Sequence, residues 1–271
     1  MPELPEVETT RRGITPHITG QHLVKLIIRQ PQLRWLITEN LGQHIIGARL
    51  EVIDRRAKYL LFKFSSGYVL IHLGMSGSLR ILDNTATAGK HDHVDFIFSN
   101  NRLLRFTDPR RFGAILWLGE NPWQHKLLKN LGPEPLSEHF TGFDLYQRAK
   151  GRKLAVKQFI MDQHNVTGVG NIYANEALFL SGIRPGTQTG RISIKRYERL
   201  VEQIKRVLTQ AIAQGGTTLR DFVGGDGKPG YFKQQLFVYG RGGQACKRCH
   251  KTLKEIRHSG RSTVYCLNCQ K

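Results

Sequence analysis

The chain reads as an α+β protein of two domains, a strand-rich first half followed by a helical second half that ends in a metal-bound ribbon. Three observations carry this reading. Short apolar runs broken by turn residues recur from Leu23 to Leu118, a helical period takes over beyond about residue 150, and all four cysteines fall between 246 and 269. A chain of 271 residues is long enough to bury a sizeable core in each of two domains.

The apolar runs are Leu23 to Arg29, Ile45 to Ile53, Tyr59 to Phe64, Tyr68 to Leu73, Val94 to Phe98, Leu103 to Phe106 and Ala114 to Leu118. Ser65-Ser66-Gly67, Gly74-Met75-Ser76-Gly77 and Ser99-Asn100-Asn101 punctuate them. Many short strands at regular spacing predict a β-sandwich or a barrel. Ahead of them, Pro5 is placed to start a short helix over Val7 to Arg12. Leu131-Gly132-Pro133-Glu134-Pro135 reads as a hinge or linker. Helices are expected over Leu154 to Met161, Ile172 to Leu180 and Ser193 to Gln214, the second closed by Gly182 and Pro185 and the third by Gly215-Gly216. The third has Tyr197, Leu200, Val201, Ile204, Val207, Leu208, Ala211 and Ile212 on one face. Residues 215 to 232, rich in Gly, Thr and Asp, form a long loop of the kind that often carries function.

The formal charge is +20, and it is unevenly placed. Residues 1 to 149 hold 19 Lys/Arg against 14 Asp/Glu, and residues 150 to 271 hold 22 against 7, so the second half supplies +15. A cationic field of that size favours a polyanion, nucleic acid ahead of an acidic membrane, for which no amphipathic Lys-rich helix argues. There is no long apolar run and no basic-then-apolar leader, so the expected location is cytoplasmic, associated with the nucleoid in a bacterium.

Cys246-Lys247-Arg248-Cys249 and Cys266-Leu267-Asn268-Cys269 are paired knuckles 16 residues apart, the spacing of a tetrahedral four-thiolate zinc site. Four sulfurs leave no open position, so the metal is structural and contributes folding energy. His250 is an alternative ligand beside Cys249, although a fourth cysteine is already present. Between the knuckles, Arg257-His258-Ser259-Gly260-Arg261 is either a basic turn suited to phosphate or a solvated charge run.

The start of the chain, Met1-Pro2-Glu3-Leu4-Pro5-Glu6-Val7-Glu8, offers a candidate covalent site. With Met1 removed, Pro2 is a secondary amine beside a carboxylate. An α-amino group titrates near about 7.8 and a lysine near about 10.4, so the terminus is the most available amine nucleophile on the chain. Attack on a sugar's anomeric carbon gives an iminium that acidifies the neighbouring carbon, and Glu3 is placed to move protons. The bland alternative is a stiff, frayed end. Gly168-Val169-Gly170-Asn171, just before a helix, exposes amides to an anion or is a plain tight turn. Thr107-Asp108-Pro109-Arg110-Arg111-Phe112-Gly113 sets two arginines and an aromatic on a loop, and Met75 sits in a glycine-flanked turn. Phe and Met act as wedges where a nucleotide is extruded, though in loops they more often pack on their own domain. Lys58 lies at the start of a strand, where a lysine commonly snorkels.

An N-terminal amine with a carboxylate, a basic two-part body, a zinc ribbon and wedges fit one task, covalent excision of a flipped base. Met1 to Glu8, Arg55 to Leu60, His72 to Ser78, Thr107 to Gly113, Gly168 to Ala174, Asp226 to Phe232 and Cys246 to Lys271 together resemble the formamidopyrimidine-DNA glycosylases, in family order along the whole chain. The resemblance implies a fold of an N-terminal β-sandwich flanked by helices, a helix-two-turn-helix bundle and a zinc-ribbon β-hairpin, with DNA in the cleft between. It implies domains over 1–131, 132–236 and 237–271. It also implies a bifunctional glycosylase and lyase acting as a monomer on double-stranded DNA that carries oxidised purines or abasic sites.

In that frame Pro2 is the Schiff-base nucleophile and Glu3 the acid/base. Lys58 serves β-elimination and Arg261 δ-elimination. His91, Arg110 and Arg152 match DNA-contacting positions, with Lys157 and Asn171 near the lesion phosphates. Met75, Arg110 and Phe112 match the trio that fills the void, Arg110 facing the opposite cytosine, and the loop from Thr217 to Tyr231 covers the extruded base. Cys246, Cys249, Cys266 and Cys269 hold one structural Zn2+. Leu4 and the intact Asp108-Pro109-Arg110-Arg111-Phe112-Gly113 favour the purine-specific branch over the related endonuclease VIII branch, which starts Pro-Glu-Gly-Pro-Glu. Two positions depart from the family pattern: His250 stands where glycine is common after the knuckle, and Leu267 where proline is frequent.

Overall fold

The computed structural model describes residues 2–217 and 235–271 and divides into two compact units, the first built from residues up to 129 together with the segment from 214. Most of the loop expected over 215 to 232, and the Asp226 to Phe232 motif, lie outside the described residues.

In the first unit, helix α1 (Leu4–Ile18) is followed by β1 (Leu23–Ile28), a short helix α2 (Leu41–Ile45), and strands β2 (Leu50–Arg56), β3 (Tyr59–Phe64), β4 (Gly67–His72), β5 (Ser78–Asp83), β6 (Asp92–Phe98), β7 (Arg102–Thr107) and β8 (Ala114–Gly119). They form two antiparallel four-stranded sheets, ordered β1-β6-β7-β5 and β2-β3-β4-β8. Leu79, Phe96, Leu104 and Phe106 of one sheet share a buried cluster with Ile53, Phe62, Ile71 and Ile115 of the other, and Val7, Ile14 and Ile18 of α1 join it. The sandwich of the two expected alternatives is therefore the one formed, because alternate side chains of both sheets fill a common interior.

Two local differences have physical causes. The run expected as a strand over Ile45 to Ile53 is split, with residues to Ile45 closing α2, Gly47 turning the chain at φ +83°, and pairing with β3 beginning at Leu50. Strand β5 was hidden because Arg80 and Asp83 interrupt its apolar pattern; it forms an edge strand against β7. Helix α1 runs longer than Val7 to Arg12 and accommodates Pro16 in its last turn.

The second unit holds α3 (Gly142–Ala149), α4 (Val156–Met161), α5 (Asn171–Ser181), α6 (Ile194–Ala213) and a hairpin of β9 (Lys254–His258) with β10 (Arg261–Tyr265). Thr141 caps α3 by accepting from the Asp144 amide at 3.1 Å. The apolar face of α6 is buried from Tyr197 through Ala211 and packs on α3 and α5. Helix α5 is buried along nearly its whole length, starts just after Gly170 and ends at Gly182 with φ +71°. The Leu131 to Pro135 stretch is hydrogen-bonded within this unit, Gly132 N donating to Gln163 O at 2.8 Å and Thr167 N to Pro133 O at 3.1 Å. In the β9–β10 hairpin Ser259 and Gly260 both have positive φ, 49° and 73°, the two-residue turn whose twist matches its strands.

Candidate active site

Pro2 and Glu3 are buried at the start of α1, with Glu3 as its N-cap. A reciprocal capping box holds the pair: the Glu6 amide donates to the Glu3 carboxylate, and the Glu3 amide donates to Glu6 Oε2 at 2.9 Å. The other oxygen of Glu6 accepts from the Thr217 amide at 2.8 Å, so one fully buried carboxylate ties the first residues to Thr217. Gly216 has φ +81°, and a Cβ there would lie 3.1 Å from Glu6 Oε1. Glu6 escaped the sequence reading, although its position three residues after Glu3 is the capping-box signal.

One turn further on, Glu8 is bound by Arg11, Arg12 and Arg55 at 2.8, 2.8 and 3.1 Å. Burial pushes its carboxyl up, but the bonds from Arg11 and Arg12 and the charges of Arg11 and Arg55 outweigh it and hold the pKa at about 2. Arg55 Nη1 also donates to Ala57 O at 2.9 Å, across a turn in which Ala57 has φ +55°. That turn delivers Lys58, which is buried just ahead of β3 rather than snorkelling at the surface. His72, at the end of β4, is kept neutral: burial first, then the charges of Lys58 and Arg34, lower its pKa to about 4. Its Nδ1 accepts from the Gly74 amide at 3.2 Å.

Met75, Arg110 and Phe112 are all exposed, and the Arg110 guanidinium lies 5.0 Å from the Phe112 ring centre. They therefore point away from the core, the less common outcome for an apolar loop residue. His91 is exposed too, and its carbonyl accepts from the Asp108 amide at 3.0 Å.

In the second unit Lys157 and Asn171 meet on one carbonyl of the hairpin. Asn171 Nδ2 donates to Ser262 O at 3.1 Å, and Lys157 Nζ donates to Ser262 O at 2.8 Å and Thr263 Oγ1 at 2.7 Å. Lys157 is thus buried and tethers α4 to the hairpin, while Arg261 at the hairpin turn is exposed and lines the same open cavity as Lys157, Met161 and His258. Arg152 is exposed, its guanidinium 5.5 Å from the Phe159 ring centre. Gly168 (φ +76°) and Gly170 carry the chain into α5, whose N-terminal amides and dipole favour an anion.

Cys246, Cys249, Cys266 and Cys269 place their sulfurs within 4.8 Å of one another. Sulfurs about 2.3 Å from a tetrahedral metal stand about 3.8 Å apart; the Cys246–Cys269 and Cys249–Cys266 separations are 3.9 and 3.4 Å. Amides of Arg248 and Cys269 donate to Cys246 Sγ and Cys266 Sγ, as suits thiolates. The donor set fits zinc, and these four residues hold one structural Zn2+. His250 is exposed and takes φ +61°, the conformation that explains why glycine suits that place.

A buried Pro2–Glu3 end on a β-sandwich, a helical unit with a glycine-led helix start, and a four-thiolate ribbon fit the multidomain class of zinc-ribbon DNA enzymes. The comparisons agree. Residues 1–115 match the formamidopyrimidine-DNA glycosylase N-terminal domain, 131–223 its H2TH domain, and 243–271 the zinc finger found in FPG and IleRS. Formamidopyrimidine-DNA glycosylases of Stutzerimonas stutzeri and Psychromonas ingrahamii are 58% and 60% identical over 271 and 270 residues, with full coverage of both chains. The crystal structure of the Thermus thermophilus protein superposes with TM-score 0.89 at 36% identity, covering 99% of this chain and 98% of that one. The Lactococcus lactis protein in complex with DNA containing an abasic site gives 0.92 at 31%, covering 99% of each. The chain belongs to the formamidopyrimidine-DNA glycosylase family. It is accordingly an enzyme, a DNA glycosylase with abasic-site lyase activity. Among the described residues no helix is long and apolar enough to cross a membrane.

Proposed function

We propose that this enzyme removes oxidised purines, 8-oxoguanine and formamidopyrimidines, from duplex DNA through a Schiff base on Pro2, and then nicks the strand by β,δ-elimination. The observation that carries the proposal is the buried Pro2–Glu3 pair, held by the capping box at the positive end of α1. An α-amino group titrates near about 7.8, so Pro2 is available as a nucleophile once Met1 is gone. Its nitrogen bonds to C1′ as the base leaves, and Glu3 handles the protons of base loss and of ring opening. The resulting iminium acidifies C2′; loss of that proton expels the 3′ phosphate, with Lys58 as proton carrier. A second elimination, served by Arg261, expels the 5′ phosphate and leaves a one-nucleotide gap.

Met75, Arg110 and Phe112 fill the space left by the extruded nucleotide, with Arg110 facing the opposite cytosine. His91, Arg152, Lys157 and Asn171 bind the backbone; for the buried Lys157 this means holding the hairpin and Arg261 against the phosphate. Complexes of the Lactococcus lactis relative with DNA containing N7-benzyl-Fapy-dG or an abasic site support this substrate class. The enzyme acts as a monomer, in the cytoplasm and on the nucleoid, with three regions over 1–131, 132–236 and 237–271.

Borohydride trapping tests the reading. Fully processed, zinc-loaded protein should crosslink through Pro2 to duplexes carrying 8-oxoguanine opposite cytosine, and more slowly to thymine glycol duplexes. Failure to crosslink would defeat the Schiff-base step, and preference for thymine glycol would move the enzyme to the pyrimidine-specific branch.

A further inference from the structure

Two loops of the sandwich cross from one sheet to the other side by side. Residues 73–77 lead from β4 to β5, and residues 108–113 lead from β7 to β8. The first carries Met75 and the second Arg110 and Phe112. Between them lies Asp108, whose side chain is fully buried and accepts from both loops. Asp108 Oδ1 accepts from Ser76 Oγ at 2.8 Å and from the Arg110 amide at 3.3 Å, and Oδ2 accepts from the Gly113 amide at 2.8 Å. The Arg110 amide is shared with Ser76 Oγ at 3.3 Å. On the other side, Asp108 O is bonded to His93 Nε2 at 2.8 Å, which fixes the carboxylate's own backbone to β6.

The loops also touch directly. Gly74 has φ +65°, and a Cβ there would stand 2.4 Å from Phe112 C and 2.5 Å from Gly113 N, so the two backbones lie closer than any side chain permits. The Ser76 hydroxyl bridges this contact twice, donating to Asp108 Oδ1 and accepting from the Arg110 amide.

We propose that Asp108, with Ser76, is a positioning residue that staples the Met75 turn to the Arg110–Phe112 loop, so that the three wedge residues enter DNA as one preformed body. The inference rests on the reading of Met75, Arg110 and Phe112 as the void-filling trio and adds what holds their spacing. A carboxylate is required because donors converge on both of its oxygens, and an amide offers only one acceptor. Fixing the wedge before binding spares the ordering of two loops during extrusion, and misplacement by about an ångström costs on the order of a hundredfold in rate.

The test uses full-length, zinc-loaded Ser76→Ala and Asp108→Asn proteins, with Ser76→Thr as the variant that restores the hydroxyl. Excision of 8-oxoguanine opposite cytosine should fall on the order of tenfold to a hundredfold. The preference for cytosine over adenine opposite the lesion, which depends on where Arg110 sits, should fall with it. Trapping of a preformed abasic site should stay within about twofold, since it needs less extrusion, and Ser76→Thr should recover both losses. Parental excision and opposite-base preference in both variants would overturn the inference. So would a parallel loss of trapping, excision and thermal stability, which would mark Asp108 as part of the general fold. Met75→Ala and Arg110→Ala controls separate the levels: if these leave excision and preference unchanged, the wedge reading itself falls and takes the staple with it.

Discussion

The two ends of the chain solve the same problem, holding a few residues in a fixed geometry, by opposite means. The last 26 residues do so with a metal, four sulfurs from two knuckles closing on one ion. The first eight do so with buried carboxylates, Glu6 accepting backbone amides from both Glu3 and Thr217 and Glu8 accepting three arginines. A metal site fails all at once when its ion is withdrawn, whereas a hydrogen-bonded site fails bond by bond. The ends should therefore respond differently to chelation, substitution and acid.

The largest effect is expected at the ribbon. Zinc removal, or Cys246→Ser, should unfold roughly the last 30 residues, because a small four-thiolate module has too little core to fold without its ion. With the hairpin goes the anchoring of Lys157 and Asn171, so binding to duplex DNA should be lost. The sandwich should keep its hydrogen-exchange protection, because its core is built from the first unit alone. Unchanged DNA binding by the chelated protein would show that the ribbon does not carry the phosphate contacts. Next in size is Glu3→Gln, expected to lower excision by about 10²- to 10⁴-fold while sparing binding, since the cationic surface is untouched. Rapid-quench excision alongside a binding titration checks this, and equal losses in both would mean that Glu3 only caps α1.

A smaller effect separates the carboxylate end from the ribbon by pH. Glu8 has a folded pKa of about 2 against an ordinary 4.5, so its contribution is complete above about pH 4.5 and is lost as pH falls toward 2. His72 acts in the same direction over a higher window: half-buried and held neutral, it costs nothing above its ordinary 6.5 and weakens the fold as pH falls toward about 4. Glu8→Gln should cost about 3 kcal/mol near neutrality by removing the carboxylate that Arg11, Arg12 and Arg55 share, and should flatten the acid limb of the stability curve below pH 4.5. Urea unfolding followed between pH 7 and 3 measures both. An unchanged slope in the variant would assign the acid sensitivity to other groups.

The same contrast explains what could be read ahead of the structure. The knuckles, the α6 stripe and most of the strand runs are short-range patterns that stand where their spacing indicated, the split run over Ile45 to Ile53 and the missed β5 being the exceptions. Ser76 and Asp108 are 32 residues apart, and Glu6 and Thr217 are 211 apart; no local period encodes such bonds. Glu8 was legible in the N-terminal run and Lys58 at the start of a strand, but the Glu8–Arg55 pair was not, because the partners meet only when α1 lies along β2. Lys157 shows the same limit. It was placed within the expected helix over Leu154 to Met161 and, by resemblance, near the lesion phosphates, but no local pattern shows that its ammonium donates to Ser262 and Thr263, more than 100 residues on. Short-range spacing announces a metal site, while a carboxylate site becomes visible only after the chain has folded around it.

The smallest expected effect lies back in the ribbon, at His250. Its φ of +61° places a residue with a Cβ where glycine is at ease, at a cost of about 1 kcal/mol or somewhat more. The side chain is exposed, and the bond that matters, His250 N to Cys246 O at 2.9 Å, belongs to the backbone. His250→Gly therefore keeps that bond and relieves the conformation, but it also loosens the unfolded chain by about 0.4–1 kcal/mol. The balance is a gain of roughly 0.5 kcal/mol, read as slower zinc loss to a chelator with DNA binding unchanged. A faster loss would show that the imidazole supports the knuckle after all, through the metal or the thiolates, and the ribbon would then depend on more than its four cysteines.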